Sequence, residues 1–229
     1  MNPENFYGSD EQFCSFIGSV PEAERTPPGK LYLAAKRLFD LAASLFGLIL
    51  IMPLFPFIIL LIKLETRGPI FFRQARVGYR GETFACYKFR SMSLDAEVRK
   101  SELAHLNEAT GAAFKIKDDP RITGVGRFLR RSSLDEFPQL FNVLRGEMTI
   151  VGPRPQIPSE VQDYTPEHAT RLLVKPGLTC LWQVSGRSHL EFEEWMRLDQ
   201  EYVRQAGLFF DLSILARTLP AVIERKGAY

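Results

Sequence analysis

Apolar residues are spread unevenly along the chain. From Leu41 to Ile62 there is no charged residue, and at about 1.5 Å per residue the run makes about 33 Å of helix, enough to cross a bilayer core. A mostly polar stretch of about forty residues precedes it and no small-residue cleavage pattern follows, so the run is not a cleavable signal peptide. Pro53 and Pro56 sit just past its middle, where each removes a helical hydrogen bond and crowds the preceding turn, which predicts a kink. Lys30, Lys36 and Arg37 lie before the run and Lys63, Arg67, Arg73 and Arg76 after it. Basic residues mark the cytoplasmic side, and here both flanks qualify. Two topologies stay open: a kinked helix that spans, and one that enters, bends at the prolines and returns to the same face.

The remaining pattern is that of a small mixed domain. Residues 1–30 hold Pro3, Gly8, Pro21, Pro27, Pro28 and Gly29 with no sustained periodicity and read as a loosely ordered arm. Ile70-Phe71-Phe72 and the stretch Thr83 to Phe89, separated by Gly78 and Gly81, predict strand, turn, strand. Helices are predicted from about Leu94 to Glu108, from Asp135 to Arg145 with a stop at Gly146, from Glu191 to Gln205, and from Asp211 to Lys226. The last two carry Phe192, Trp195, Met196 and Tyr202, then Leu212, Leu215, Leu219, Val222 and Ile223, at helical spacing. These apolar faces suit either the domain core or, with the basic Arg225-Lys226 tail, the headgroup layer. The fold class is therefore α+β, mostly helical, divided into an arm (1–30), a Pro-kinked membrane helix (31–66) and a catalytic domain (67–229).

Composition narrows the function. With 29 basic and 27 acidic residues the net charge is only +2, which gives no polyanion-binding signature, so nucleic acid is not an expected partner. Cys14, Cys86 and Cys180 lie far apart, match no metal-ligand spacing and read as ordinary small apolar residues facing a reducing cytosol. Gly124-Val125-Gly126 lacks the third glycine of a dinucleotide fingerprint and reads as a turn.

The densest polar cluster runs from Arg127 through Arg130-Arg131-Ser132-Ser133-Leu134-Asp135-Glu136 to Gln139, followed by Val151-Gly152-Pro153-Arg154-Pro155. Two adjacent carboxylates at a helix start, with arginines on both sides, could hold Mg²⁺ and a diphosphate together. The same residues also fit a capping box, with Ser133 and Glu136 merely satisfying helix-end groups.

The string Ser132-Ser133-Leu134-Asp135-Glu136-Phe137-Pro138-Gln139-Leu140-Phe141-Asn142-Val143-Leu144 resembles the signature of the monotopic phosphoglycosyl transferases, the bacterial sugar transferases. The resemblance continues in family order through Tyr87-Lys88-Phe89-Arg90-Ser91-Met92, Gly152-Pro153-Arg154-Pro155, Lys175-Pro176-Gly177-Leu178-Thr179 and Gln183-Val184-Ser185-Gly186-Arg187. It implies that Asp135 is a nucleophile on the sugar-linked phosphorus, that Asp135 and Glu136 bind Mg²⁺, and that UMP leaves a covalent phosphosugar intermediate which a polyprenyl phosphate then attacks. It also implies substrate-binding roles for Lys88, Arg90, Arg154 and Asp211. Read without it, Lys88 is a strand-end lysine, Arg154 a surface ion-pair residue and Asp211 the N-cap of the final helix. Implied partners are a UDP-sugar (glucose or galactose), undecaprenyl phosphate and membrane lipid, with a homodimer as one assembly, at the cytoplasmic face of the bacterial inner membrane. The family favours the re-entrant topology, although Met52-Pro53 stands where it usually has Ser-Pro, and this chain resembles its minimal form. Two other readings of the dyad are a membrane-anchored Mg²⁺-dependent hydrolase and a non-catalytic assembly scaffold.

Overall fold

The computed structural model describes residues 5–25, 28–108, 116, 118–186 and 190–224; Arg187, His189, Arg225-Lys226 and the carboxy-terminal Gly227-Ala228-Tyr229 fall outside them. The architecture is α+β and mostly helical. In chain order the helices are α1 (Asp10–Phe16), α2 (Glu22–Arg25), α3 (Lys30–Ile51), α4 (Phe55–Glu65), α5 (Val98–Glu102), α6 (Gly124–Arg131), α7 (Gln139–Arg145), α8 (Pro158–Val161), α9 (Pro166–Ala169), α10 (Phe192–Gln205) and α11 (Leu208–Glu224). Two small sheets complete it: an antiparallel hairpin of β1 (Phe71–Val77) and β2 (Thr83–Phe89), and a parallel pair of β3 (Thr149–Val151) and β4 (Gly177–Thr179).

Among the described residues, Lys30–Glu65 is the one helical run long and apolar enough to cross a membrane. It is interrupted by a 3₁₀ turn at Met52–Leu54, where Pro53 has no N–H to give. Pro56 is tolerated because it falls in the first turn of α4. Leu45, Phe46, Ile49, Leu50, Phe57, Leu60 and Leu64 leave outward-facing apolar surface on both limbs.

Both limbs are tied to the same domain. On α3, Arg37 donates to the Val143 and Leu144 carbonyls at 2.6 and 2.7 Å, closing the end of α7. The buried Asp40 accepts from the Thr149 hydroxyl at 2.7 Å and the Ile150 N–H at 2.9 Å on β3. On α4, the Glu65 carboxylate accepts the Gly124 and Val125 N–H groups at 2.6 and 2.8 Å, while Ile58 and Ile62 pack on Phe89 and Leu129.

Four expectations need correction. The amino-terminal arm is not loose within its described residues: Phe13, Ile17 and Val20 are buried, and the first two join a core with Val77, Leu172 and Met196. Phe13, Phe16, Ile17 and Val20 fall at i, i+3, i+4 and i+7 over α1 and the 3₁₀ turn after it, a helical stripe too short to stand out among the prolines and polar residues. The helix expected over 94–108 shrinks to α5 and a 3₁₀ turn at Ala104–Leu106; neither buries a residue, and a short helix without tertiary packing is marginal. The segment read as a turn at Gly124 opens α6, capped by the Thr123 hydroxyl, which accepts from the Gly126 N–H at 2.9 Å. The helix expected from Asp135 starts only at Gln139; Gly146, at φ 83, ends it as predicted.

The two closing helices part company. On α10, Met196, Leu198, Tyr202 and Val203 are buried, so that helix belongs to the core. On α11, Ile214 is buried but Leu208, Phe209, Leu212 and Leu219 stay exposed, an outward apolar face of the kind an interfacial helix presents.

Candidate active site

Asp135 and Glu136 occupy a 3₁₀ turn, Leu134–Glu136, wedged between α6 and α7. Ser133, before the turn, adopts a left-handed conformation at φ 56, and its side chain makes no capping bond. The capping box is therefore absent. A non-glycine residue held there stores strain, and such strain concentrates at working sites. Glu136 has a different partner set: Lys88 Nζ donates to Oε1 at 2.7 Å, and the Arg154 guanidinium straddles the carboxylate, Nη2 to Oε1 at 2.5 Å and Nη1 to Oε2 at 3.2 Å. Burial alone would raise the carboxyl's pKa, but the charges and hydrogen bonds of Arg154 and Lys88 outweigh it and hold Glu136 well below the usual carboxylate range.

Asp135 has the opposite electrostatics. Its side chain is buried yet makes no ion pair or hydrogen bond among the described residues. Burial and then the charge of Glu136 push its carboxyl up, against the weaker pull of Lys88, Arg130 and Arg154. One carboxylate of the dyad is thus neutralised by cations, and the other has no hydrogen-bond partner among the described residues.

Several elements hold this arrangement. Lys88 stands on β2, whose edge is fixed by Asn142 of α7: its Oδ1 accepts the Tyr87 N–H at 3.1 Å and its Nδ2 donates to the Ala85 carbonyl at 2.7 Å. Arg130, on α6, donates through Nε to the Ser91 hydroxyl at 2.9 Å. Arg154 rides on the loop after β3, pressed against Pro176-Gly177 so tightly that a Cβ on Gly177 would lie 2.1 Å from the Gly152 nitrogen.

The structure brings together Asp135, Glu136, Lys88 and Arg154. It places Arg90 and Asp211 elsewhere. Arg90 donates to the Arg67 and Thr66 carbonyls at 2.6 and 3.0 Å, closing the end of α4. Asp211 is not an N-cap, because α11 already begins at Leu208. It is buried and accepts from Lys36 at 2.6 Å, Tyr32 at 2.8 Å and Tyr202 at 2.7 Å, joining α3 to the core. Asp40, Asn142 and a buried Arg171–Asp199 pair were not singled out from sequence. Asp199 did leave a trace: it falls on the same face of α10 as Met196, Tyr202 and Val203, a charge on an apolar stripe. Cys86 and Cys180 are buried and free, and burial pushes both thiols up, while Cys14 is an exposed free thiol.

The profile of the bacterial sugar transferases matches residues 31–225. This chain belongs to that family. It is 44% identical over 200 residues to an undecaprenyl-phosphate galactose phosphotransferase of Salmonella typhimurium, covering 85% of this chain and 41% of the relative. It is 41% identical over 199 residues to the exopolysaccharide production protein ExoY of Rhizobium meliloti, covering 85% and 88%. It is 36% identical over 230 residues to an undecaprenyl-phosphate glucose phosphotransferase of Komagataeibacter xylinus, covering 96% and 41%. The chain thus spans less than half the length of the first and third of these relatives.

Proposed function

We propose that the chain transfers a hexose 1-phosphate, from UDP-galactose or UDP-glucose, to undecaprenyl phosphate. The observation that carries this reading is the split dyad: Glu136 is clamped by two cations while the Asp135 carboxylate beside them has no partner among the described residues. A carboxylate attacks a phosphorus anion only where nearby cations offset the repulsion. In the first step an Asp135 oxygen bonds to the sugar-linked phosphorus and the bond to the bridging oxygen breaks, its electron pair leaving with UMP. In the second, an oxygen of the lipid phosphate attacks the same phosphorus and releases the Asp135 carboxylate. Lys88 and Arg154 hold Glu136 in place and present positive charge to the incoming diphosphate.

The residues fit Mg²⁺ of the substrate-bridging kind. Among the described residues no group of three or more His, Cys, Asp or Glu side chains could hold a metal by itself, and Mg²⁺ commonly takes one or two carboxylates plus phosphate oxygens. Asp135 has no hydrogen-bond partner among the described residues, and Glu136 Oε2 keeps spare acceptor capacity beside its longer bond to Arg154. When bound, the ion offsets charge on the diphosphate.

The attachment of both α3 and α4 to one domain supports a helix that enters and leaves by the same face. The catalytic domain then faces the cytoplasm at the inner membrane, where nucleotide sugars are available. The missing capping bond at Ser133 counts against the scaffold reading, in which the dyad is only a helix cap. A hydrolase would use the same dyad, and one experiment separates the two. Purified chain, Mg²⁺ and UDP-galactose or UDP-glucose should release UMP, with sugar 1-phosphate appearing in lipid when undecaprenyl phosphate is supplied. Free sugar 1-phosphate produced irrespective of lipid would establish hydrolysis and end the transfer proposal.

A further inference from the structure

The loop that carries Arg154 contains two residues with no N–H, Pro153 and Pro155, and it is fastened through its carbonyls instead. The Gly177 N–H donates to the Pro153 carbonyl at 2.8 Å and the Val77 N–H to the Gln156 carbonyl at 2.9 Å. Between them, Arg76 Nη1 donates to the Pro155 carbonyl at 2.8 Å and Arg171 Nη2 to the carbonyl of Arg154 itself at 2.6 Å. Arg171 is buried on the 3₁₀ turn Thr170–Leu173. Its Nη1 donates to the Tyr164 hydroxyl at 2.6 Å, and its Nη2 lies 2.6 Å from Asp199 Oδ2 on α10.

Asp199 is held by Arg171 alone. No other donor reaches either of its oxygens among the described residues, although the residue is 0% exposed. Burial pushes its carboxyl up to about 6 even with Arg171 beside it. A fully buried ion pair with its carboxylate so poorly satisfied adds little to stability over an apolar pair of similar volume. What an apolar pair could not do is aim a guanidinium at the Arg154 carbonyl.

We propose that Arg171, oriented by Asp199 and Tyr164, is a positioning residue that fixes the backbone of Arg154 and so the guanidinium facing Glu136. The inference rests on the reading that Arg154 serves the transfer reaction. Mechanically, the carbonyl is gripped from behind while the side chain acts in front, so a displacement of the grip becomes a displacement of the fork. Positioning errors of this sort lower catalytic efficiency without unfolding the protein.

The test uses the full chain in detergent, with UMP release from UDP-galactose and UDP-glucose as the readout. Arg171→Met combined with Asp199→Leu removes both buried charges together. Removing the two buried charges together offsets part of what the Tyr164 hydroxyl and the Arg154 carbonyl lose with their donor, so its melting temperature should fall by only a few degrees, while kcat/KM for the UDP-sugar falls by on the order of tenfold. Arg171→Lys keeps a cation next to Asp199 but cannot reach Tyr164 and the Arg154 carbonyl at once. It should fold normally and lose efficiency several-fold, and it decides the question if the double variant does not fold. Efficiency within about twofold of the unmodified chain in the folded variants would overturn the inference and leave a core ion pair only. Arg154→Lys, measured in parallel, separates the levels. Normal efficiency there sinks the reading of Arg154 itself, whereas loss there with intact Arg171 variants sinks the positioning link alone.

Discussion

Glu136→Gln tests the cation clamp most directly. The substitution keeps the shape of the side chain and removes the charge that Lys88 and Arg154 share. Removing one partner of a buried ion pair costs about 3–5 kcal/mol, mostly because the other charge stays buried. Here 18% of the Glu136 side chain, 20% of Lys88 and 23% of Arg154 are exposed, so water shares part of that load and about 2–3 kcal/mol is the better expectation. For a chain of this size that lowers the melting temperature by about 4–12 °C. Thermal unfolding of the detergent-solubilised chain, followed by circular dichroism at pH 8, reads the shift directly. A change of less than about 2 °C would mean that the clamp carries no stability. The same variant makes an electrostatic prediction. Burial is the larger reason that Asp135 is raised, and the Glu136 charge is the second; the variant removes that second cause and leaves Lys88 and Arg154 facing Asp135. In the proposed mechanism Asp135 attacks in its ionised form, so activity should rise with pH through its pKa, and the acid limb of the variant should lie at lower pH than that of the unmodified chain. A limb that stays in place or moves up refutes the account.

Asp135→Asn should abolish covalent capture of sugar phosphate and lower UMP release by more than about a hundredfold, yet not lower the melting temperature. The fold raises the Asp135 pKa, so its charged form costs stability as pH rises, and a clearly lower melting temperature at pH 8 would contradict the unpartnered carboxylate. Asp40→Ala leaves the Thr149 hydroxyl and Ile150 N–H without an acceptor, at about 1–3 kcal/mol each, and should lower the melting temperature while the folded fraction keeps its KM for UDP-sugar. For topology, single cysteines near Lys30 and Arg80 in a cysteine-free background should both resist an impermeant reagent applied from the periplasm. Labelling of the Lys30 probe alone would establish a spanning helix.

What was legible from sequence followed from local physics. The charge-free run, the proline break, the β-hairpin and the stop at Gly146 each depend on a few neighbouring residues, and each appears. The losses occur where distant partners overrule a local preference. Ser133-Leu134-Asp135-Glu136 is a sound capping pattern, but the charges of Lys88 and Arg154, from β2 and the loop after β3, draw Glu136 away and leave Ser133 strained. Asp211 fits an N-cap by spacing, yet Lys36 reaches it from α3. Arg90 sits inside a matching motif, and only the packed structure shows its guanidinium closing the end of α4. The ion pair behind Arg154 joins residues from separate elements and has no local signature beyond a charge on an apolar stripe.

The attachment of both apolar limbs to one domain has, on the proposed topology, a further consequence for how such a chain tolerates its surroundings. A helix that crosses from one face to the other must match the full hydrocarbon thickness or tilt to fit it. With Asp40 and Arg37 moored on β3 and α7, and Glu65 moored on α6, the depth reached by the bend at Met52–Leu54 is set by the domain. On the one-face reading the hairpin is a keel of fixed draught, matched to a single leaflet. The height of Asp135 above the lipid phosphates then stays constant when the opposite leaflet thickens, thins or changes composition.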